Sequence, residues 1–242
     1  MSALYAVGKF AISPVSRLLW RPKVSGLDNV PATGPAILAS NHQSVIDSVL
    51  MGALMPRNVY FLAKDEYFIA PGVKGTVMRN VMYGLNQIPV DRSGGRASLM
   101  ALDAALPVLR DGHVLGIFPE GTRSPDGRLY RGRPGVAKLA LDAPAPIIPI
   151  GLLNTEKIQP IGASVPRLGP TVEVRVGEPL DLSQWQGGEI DSRGLRELTL
   201  KLMNAIQQLT GQEYVTRYAP KRPDQIAAAN GSATNGSAPA EQ

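Results

Sequence analysis

The chain has 242 residues, 44% of them apolar and 19% charged, with a net charge of +5. That is enough for one large α/β domain or two small ones, and it excludes wholesale disorder, collagen and a whole-chain coiled coil. Cysteine is absent, which excludes disulfides, Cys-ligated metal and a Cys nucleophile; with only His42 and His113, a three-histidine metal site is excluded too. The positive balance favours an anionic partner: a phosphorylated substrate, a phospholipid surface or nucleic acid. Aromatics are only 5%, and no RNP-like or zinc-finger spacing occurs, so nucleic acid is the weakest of the three.

No apolar run reaches the roughly 18 residues of a membrane-spanning helix. Residues 3–23, ALYAVGKFAISPVSRLLWRPK, carry only positive charges, at Lys9, Arg17, Arg21 and Lys23. Large apolar groups lie between them, at Leu4, Tyr5, Phe10, Leu18, Leu19 and Trp20. Such a segment either lies among lipid headgroups or packs on its own domain, and Pro14 is expected to break or kink it. It lacks the cleavage site of a signal peptide.

From 36 to 176, short apolar runs alternate with helical patterns. The expected strands start at Ala36, Val59, Asn86, Val114, Pro146 and Thr171. Helices are expected near 45–55, 66–80, 96–110 and 135–142. The third of these has Leu99, Leu102, Leu106 and Leu109 at helical spacing, while Pro71 and Pro107 weaken the pattern locally. The alternation predicts an α/β fold with a mixed, mostly parallel central sheet covered by helices. Pro149 makes its strand an expected edge or irregular strand. A last helix is expected from Ser192 to about Leu209. Residues 220–242 are polar and of low complexity, as in a disordered tail.

Chemistry-bearing residues gather at strand ends. Asn41-His42-Gln43-Ser44-Val45-Ile46-Asp47 follows the first strand and opens a helix. Five residues along one helix would set His42 and Asp47 about 140° apart, so His42 must lie in the turn if the two are to meet. Asp47 would then accept from one imidazole nitrogen while the other takes a proton from a hydroxyl. The competing reading is a helix cap, with Ser44 as N-cap and Asp47 three residues on. Phe118-Pro119-Glu120-Gly121-Thr122-Arg123-Ser124 follows another strand. It offers a carboxylate, a flexible glycine and a guanidinium suited to a phosphate, or else it is a polar turn. Arg92 follows the strand that starts at Asn86 and offers a second guanidinium. Arg128, Arg131, Arg133 and Lys138 form a basic turn suited to a phosphate-bearing head group or an anionic lipid surface, or simply a solvated loop. There is no serine nucleophile elbow, P-loop, G-x-G-x-x-G or H-E-x-x-H.

Taken in order, His42–Asp47, Arg92, residues 118–124 and Pro149 resemble the four sequence blocks of the glycerolipid acyltransferases, with the bacterial 1-acyl-sn-glycerol-3-phosphate enzymes as the nearest branch. The first block has the N-H-x-S-x-x-D form and the third reads F-P-E-G-T-R-S in full. The likeness covers about residues 23–180.

The resemblance implies acyl transfer from an acyl thioester to a hydroxyl of a glycerol phosphate, in phospholipid biosynthesis. It implies His42 as base and Asp47 as its orienting partner. Arg92, Glu120, Gly121 and Arg123 would form the acceptor site, with Lys64 a further phosphate contact. It implies no metal and no cofactor; coenzyme A or acyl carrier protein would bear the acyl group as co-substrate. The expected partners are that donor, lysophosphatidic acid or a related phosphorylated acceptor, and a membrane surface, with no nucleic acid. The expected layout is a basic amphipathic membrane-contact segment over 1–22, an acyltransferase domain over 23–219 and the tail, placed peripherally on the cytoplasmic face of the membrane. Residues 67–83 offer a second apolar contact. Glycerol 3-phosphate or another lysophospholipid as acceptor remains open, as does a catalytically silent lipid-binding protein.

Overall fold

The computed structural model describes residues 3–90, 95–185 and 190–220. The side chain of Leu99, the loop bearing Arg92, and the tail beyond Pro220 lie outside the described residues.

A seven-stranded sheet runs in the order β1-β8-β7-β2-β5-β3-β4. Its strands are β1 (Lys23–Ser25), β2 (Ala36–Ser40), β3 (Val59–Lys64), β4 (Gln87–Val90), β5 (Val114–Ile117), β7 (Ile147–Leu153) and β8 (Glu173–Val176). Every neighbouring pair is parallel except β7 with β8. The sheet is therefore mixed and mostly parallel, as the alternation predicts. A separate parallel pair joins β6 (Leu129–Tyr130) to β9 (Tyr214–Val215).

Helices cover both faces because the central strands are apolar on both. All five residues of β2 are buried. Ala36 and Leu38 enter one core, which takes in α2 (Ile46–Leu54), Trp20 at the end of α1 (Ala3–Trp20), and Ile158 of α7 (Thr155–Ile158). Ile37 and Ala39 enter the other, built with α5 (Gly95–Arg110), α6 (Gly135–Asp142) and α8 (Ser192–Thr210). Asp191 caps α8 by accepting from the N–H groups of Arg193 and Gly194 at 3.1 and 2.8 Å, and Gly211 ends it at φ 71°.

The prolines behave differently from one another. The helix expected over 66–80 is two helices, α3 (Glu66–Ile69) and α4 (Gly72–Gly84). Ala70, just before Pro71, takes ψ 132°, because proline disfavours the helical region in the residue ahead of it. Pro14 and Pro107 instead sit inside α1 and α5, and α1 is one helix rather than a broken one. It is held by docking: Tyr5 donates to the Gly52 carbonyl at 3.2 Å and accepts from Val59 N–H at 3.0 Å. Lys9 donates to the Met55 carbonyl at 2.6 Å, at the end of α2.

Pro149 also corrects an expectation. β7 is an interior strand, flanked by β8 and β2. Its Pro149 carbonyl accepts from Gly177 N–H at 2.9 Å, beyond the last β7–β8 pair at Ile150 and Val176. The missing N–H thus falls at the end of that ladder, where it costs at most one terminal bond.

The topology also creates the site. After β2 the chain crosses past β5 to β3; after β5 it crosses past β2 to β7. Crossovers in opposite directions put α2 and α6 on opposite faces and open a crevice at the C-terminal ends of β2 and β5. A ring wall rises there. Phe118 lies 6.3 Å from Phe61, centroid to centroid, and a Cβ on Gly116 would sit 2.2 Å from the Phe61 ring. Gly116→Val is therefore expected to cost about 1–3 kcal/mol of stability through overpacking, measured by urea unfolding.

Candidate active site

His42 lies two residues beyond β2, in the turn, where the spacing argument requires it. Its Nδ1 is 2.8 Å from Asp47 Oδ2. Asp47 lies in the first turn of α2 and is fully buried. The same Oδ2 accepts from the backbone N–H groups of Gln43 and Ser44, both at 2.8 Å. One oxygen thus meets both the imidazole and the backbone of the turn. The tautomer with the proton on Nδ1 gives this oxygen a third donor and leaves the Nε2 lone pair free. Ser44 is not the N-cap: α2 begins at Ile46, and the Ser44 hydroxyl instead donates to the Gln159 carbonyl at 2.7 Å.

The loop after β5 grips His42 from the other side. Ser124 N–H donates to the His42 carbonyl at 2.7 Å, and His42 N–H donates to Glu120 Oε1 at 3.2 Å. The Phe118 ring stacks on the imidazole at 3.9 Å, 13° from parallel. The side chain of His42 keeps 17% exposure, enough for the ring to be reached from the crevice.

Glu120 is placed differently from a substrate ligand. It is 1% exposed, and its second oxygen, Oε2, accepts from Tyr130 N–H at 2.9 Å. Both oxygens are thus occupied by backbone donors, and Glu120 ties the His42 turn to β6. Burial pushes its carboxyl up to about 7; the bonds from Tyr130 and His42 oppose this, and the negative charges of Asp47 and Asp126 add to it.

The other predicted residues spread around this centre. Gly121 takes φ +73° at the end of a turn whose Gly121 N–H donates to the Phe118 carbonyl at 2.9 Å. Arg123 is half-buried on the same loop. Lys64 ends β3, separated from β2 by β5, and its Nζ is 3.6 Å from Glu66 Oε2. Arg92 is outside the described residues. Among the described residues no cluster of three acidic or histidine side chains is arranged to hold a metal ion.

The pattern reading gave Asn41 no role of its own within the first block and missed Gln212; these two complete the frame. Asn41 is buried and bonds both backbone groups of Leu152 in β7, each at 2.8 Å. It also donates to Gln212 Oε1 at 3.0 Å, and Gln212 Nε2 in turn donates to the Gly127 carbonyl at 2.6 Å. Gln212 follows α8, far along the chain, and no periodicity or motif marks it.

The raised Glu120 pKa has a definite sign. The folded state holds this proton more tightly than the unfolded chain does, so the contribution to stability is complete below about pH 4.5. It is lost as pH rises through about 7. Over that interval the wild type is expected to lose about 3 kcal/mol relative to Glu120→Gln, which carries no titrating proton there. Urea unfolding of both proteins from pH 4.5 to 8 measures it; parallel pH curves would count against the assignment.

Residues 21–153, more than half of the chain, match the family model described as Acyltransferase. A chloroplastic 1-acyl-sn-glycerol-3-phosphate acyltransferase of Brassica napus is 31% identical over 145 residues, 60% of this chain and 40% of the relative. A 1-acyl-sn-glycerol-3-phosphate acyltransferase of Bacillus subtilis is 30% identical over 129 residues, 52% of this chain and 60% of the relative. The chain thus spans about 40% to 60% of the length of these curated relatives. The crystal structure of the 1-acyl-sn-glycerophosphate (LPA) acyltransferase PlsC from Thermotoga maritima is similar with a TM-score of 0.63 and 26% identity, over 85% of this chain and 78% of that one. The matched segment contains both the His42–Asp47 turn and the loop that clamps it, and the chain belongs to the Acyltransferase family.

Proposed function

We propose that the protein moves a fatty acyl group from an acyl thioester to the free hydroxyl of 1-acylglycerol 3-phosphate, giving phosphatidic acid. The observation that carries this reading is the His42–Asp47 contact, in which the Asp47 carboxylate accepts from Nδ1–H and leaves the Nε2 lone pair free beside the crevice. Nε2 removes the proton of the acceptor hydroxyl as its oxygen attacks the thioester carbonyl. An oxygen–carbon bond forms, the carbon–sulfur bond breaks, and the proton passes from Nε2 to the departing thiolate of coenzyme A or acyl carrier protein. Asp47 stabilises the imidazolium that forms between the two transfers.

The acceptor phosphate belongs with Arg123 and the Gly121 turn, with Lys64 and Arg92 as further cations. Glu120 serves as a positioning residue for the His42 turn, since its oxygens face the backbone. The relatives' names, which specify 1-acyl-sn-glycerol-3-phosphate acyltransferases, support this acceptor over other phosphorylated alcohols.

The protein works at a membrane surface in this reading, on the cytoplasmic face. Among the described residues no helix is long and apolar enough to cross a bilayer. α1 leaves Val7, Phe10, Val15 and Leu18 exposed, with Phe10 at 84%. The neighbouring α3 and α4 leave Ile69, Val73 and Val77 exposed. Arg17, Arg21 and Lys74 stand near these groups in the sequence, as suits an interfacial helix on anionic lipid.

His42→Ala is expected to lower turnover by about 10²- to 10⁴-fold while the fold is kept. Thiol release from oleoyl-coenzyme A with lysophosphatidic acid measures it, with glycerol 3-phosphate as a parallel acceptor. Near-normal release in the variant would remove His42 as base. Phe10→Glu with Leu18→Glu is expected to shift the protein from pellet to supernatant when spun with anionic liposomes. Unchanged sedimentation would discard this face as the contact. Deleting α1 is a poorer test, because Tyr5 and Trp20 are buried.

A further inference from the structure

The basic turn after the crevice loop contains four cations, and the structure divides them. Arg128 is paired with Asp126 at 2.6 Å and Glu213 at 3.6 Å, and Lys138 is paired with Asp142 at 2.8 Å. Arg131 and Arg133 are in no ion pair among the described residues, and both pack on one ring instead. Their guanidinium carbons lie 5.2 and 5.1 Å from the centroid of Tyr218. Gly132 between them is pressed toward α8, where a Cβ would meet Met203 Sδ at 2.8 Å. Alternation along an extended segment therefore sends Arg131 and Arg133 to the side away from α8.

Two further contacts fix where Arg133 points. Its N–H donates to the Pro119 carbonyl at 2.8 Å, which pins its backbone to the crevice loop. A Cβ on Gly121 would lie 2.9 Å from Arg133 Nε and 3.2 Å from its Cδ. The guanidinium stem thus covers Gly121, the glycine of the 118–124 segment. The C-terminal segment holds this arrangement in place. β9 pairs with β6, Arg131 N–H donates to the Arg217 carbonyl at 3.1 Å, and Tyr218 follows immediately.

We propose that Arg133, lying over Gly121, is a phosphate-binding residue of the acceptor site, and that Tyr218 is the positioning residue that holds its guanidinium there. This rests on the acyltransferase reading above. The ligand is a phosphate monoester. A guanidinium that no carboxylate neutralises presents its full charge and a bidentate fork to such a group. A ring face restrains the guanidinium without competing for its N–H donors, which is what a binding residue waiting for an anion requires. The C-terminal strap is thereby part of the substrate site, although it lies about ninety residues beyond the loop it serves.

The test uses the full chain and oleoyl-coenzyme A, with two acceptors: 1-oleoylglycerol 3-phosphate, and 1-oleoylglycerol, which lacks the phosphate. Arg133→Ala is expected to raise the KM for the phosphorylated acceptor about ten- to a hundredfold, the worth of one charge-assisted bond, with kcat and the donor KM little changed. Its preference for the phosphorylated acceptor should fall by the same factor, and Arg133→Lys should recover part of it. Tyr218→Leu should raise the same KM, and Tyr218→Phe, which keeps the ring, should restore it. Arg196→Ala, on the exposed side of α8, removes an equal charge elsewhere and should leave the acceptor KM unchanged. An unchanged acceptor KM in Arg133→Ala, or a rise confined to the donor, overturns the proposal. The acyltransferase reading fails separately, through absence of turnover or full activity in His42→Ala. Calorimetric binding of 1-oleoylglycerol 3-phosphate to His42→Ala, with and without Arg133→Ala, decides the Arg133 assignment even then: weakened binding supports it, and equal binding rejects it.

Discussion

Everything at the crevice depends on how one turn residue is held. His42 has its N–H on Glu120, its carbonyl on Ser124, its Nδ1 on Asp47 and its ring face on Phe118. Three of these four partners come from the loop after β5. They reach His42 because β2 and β5 are parallel neighbours that end together, with Ala39 opposite Ile117. A turn residue would otherwise be among the least ordered parts of a protein, since loops have few packing partners. Here both backbone groups and the ring of His42 are restrained.

The restraints propagate outward in a chain. Phe118 needs the room that Gly116 leaves for Phe61. Glu120 needs the Tyr130 amide, so it needs β6, and β6 needs β9 to pair with. β9 follows α8, and Gln212 ahead of it bonds back to Asn41, which joins β2 to β7. The frame around His42 is thus closed by the last described segment of the chain.

The charges obey one rule throughout. Asp47 and Glu120 are both buried, and backbone N–H groups donate to Asp47 Oδ2 and to both oxygens of Glu120. Burying a guanidinium beside them would add its own desolvation cost and spend a group suited to anions. The arginines remain at the rim, and Arg131 and Arg133 are steadied by a ring. The buried carboxylates thus meet backbone dipoles inside, and the cationic groups of Arg131 and Arg133 stay outside.

The sequence by itself determined the six main strands, the alternation that makes their sheet mostly parallel, and the strand ends where His42, Asp47 and residues 118–124 cluster. These are local properties: apolar runs, a five-residue spacing and a seven-residue motif are all readable in short windows. The tertiary structure decided what no window contains. It showed that one oxygen of Asp47 meets three donors, from His42, Gln43 and Ser44. It turned Glu120 toward the backbone, put Pro149 in an interior strand, and separated the paired from the unpaired arginines. It also brought Gln212 and Tyr218 to a site far from them in the chain. The physical reason is the same in each case. A polar side chain's role is set by the partner it meets, and in a parallel sheet with long crossovers those partners come from distant parts of the chain.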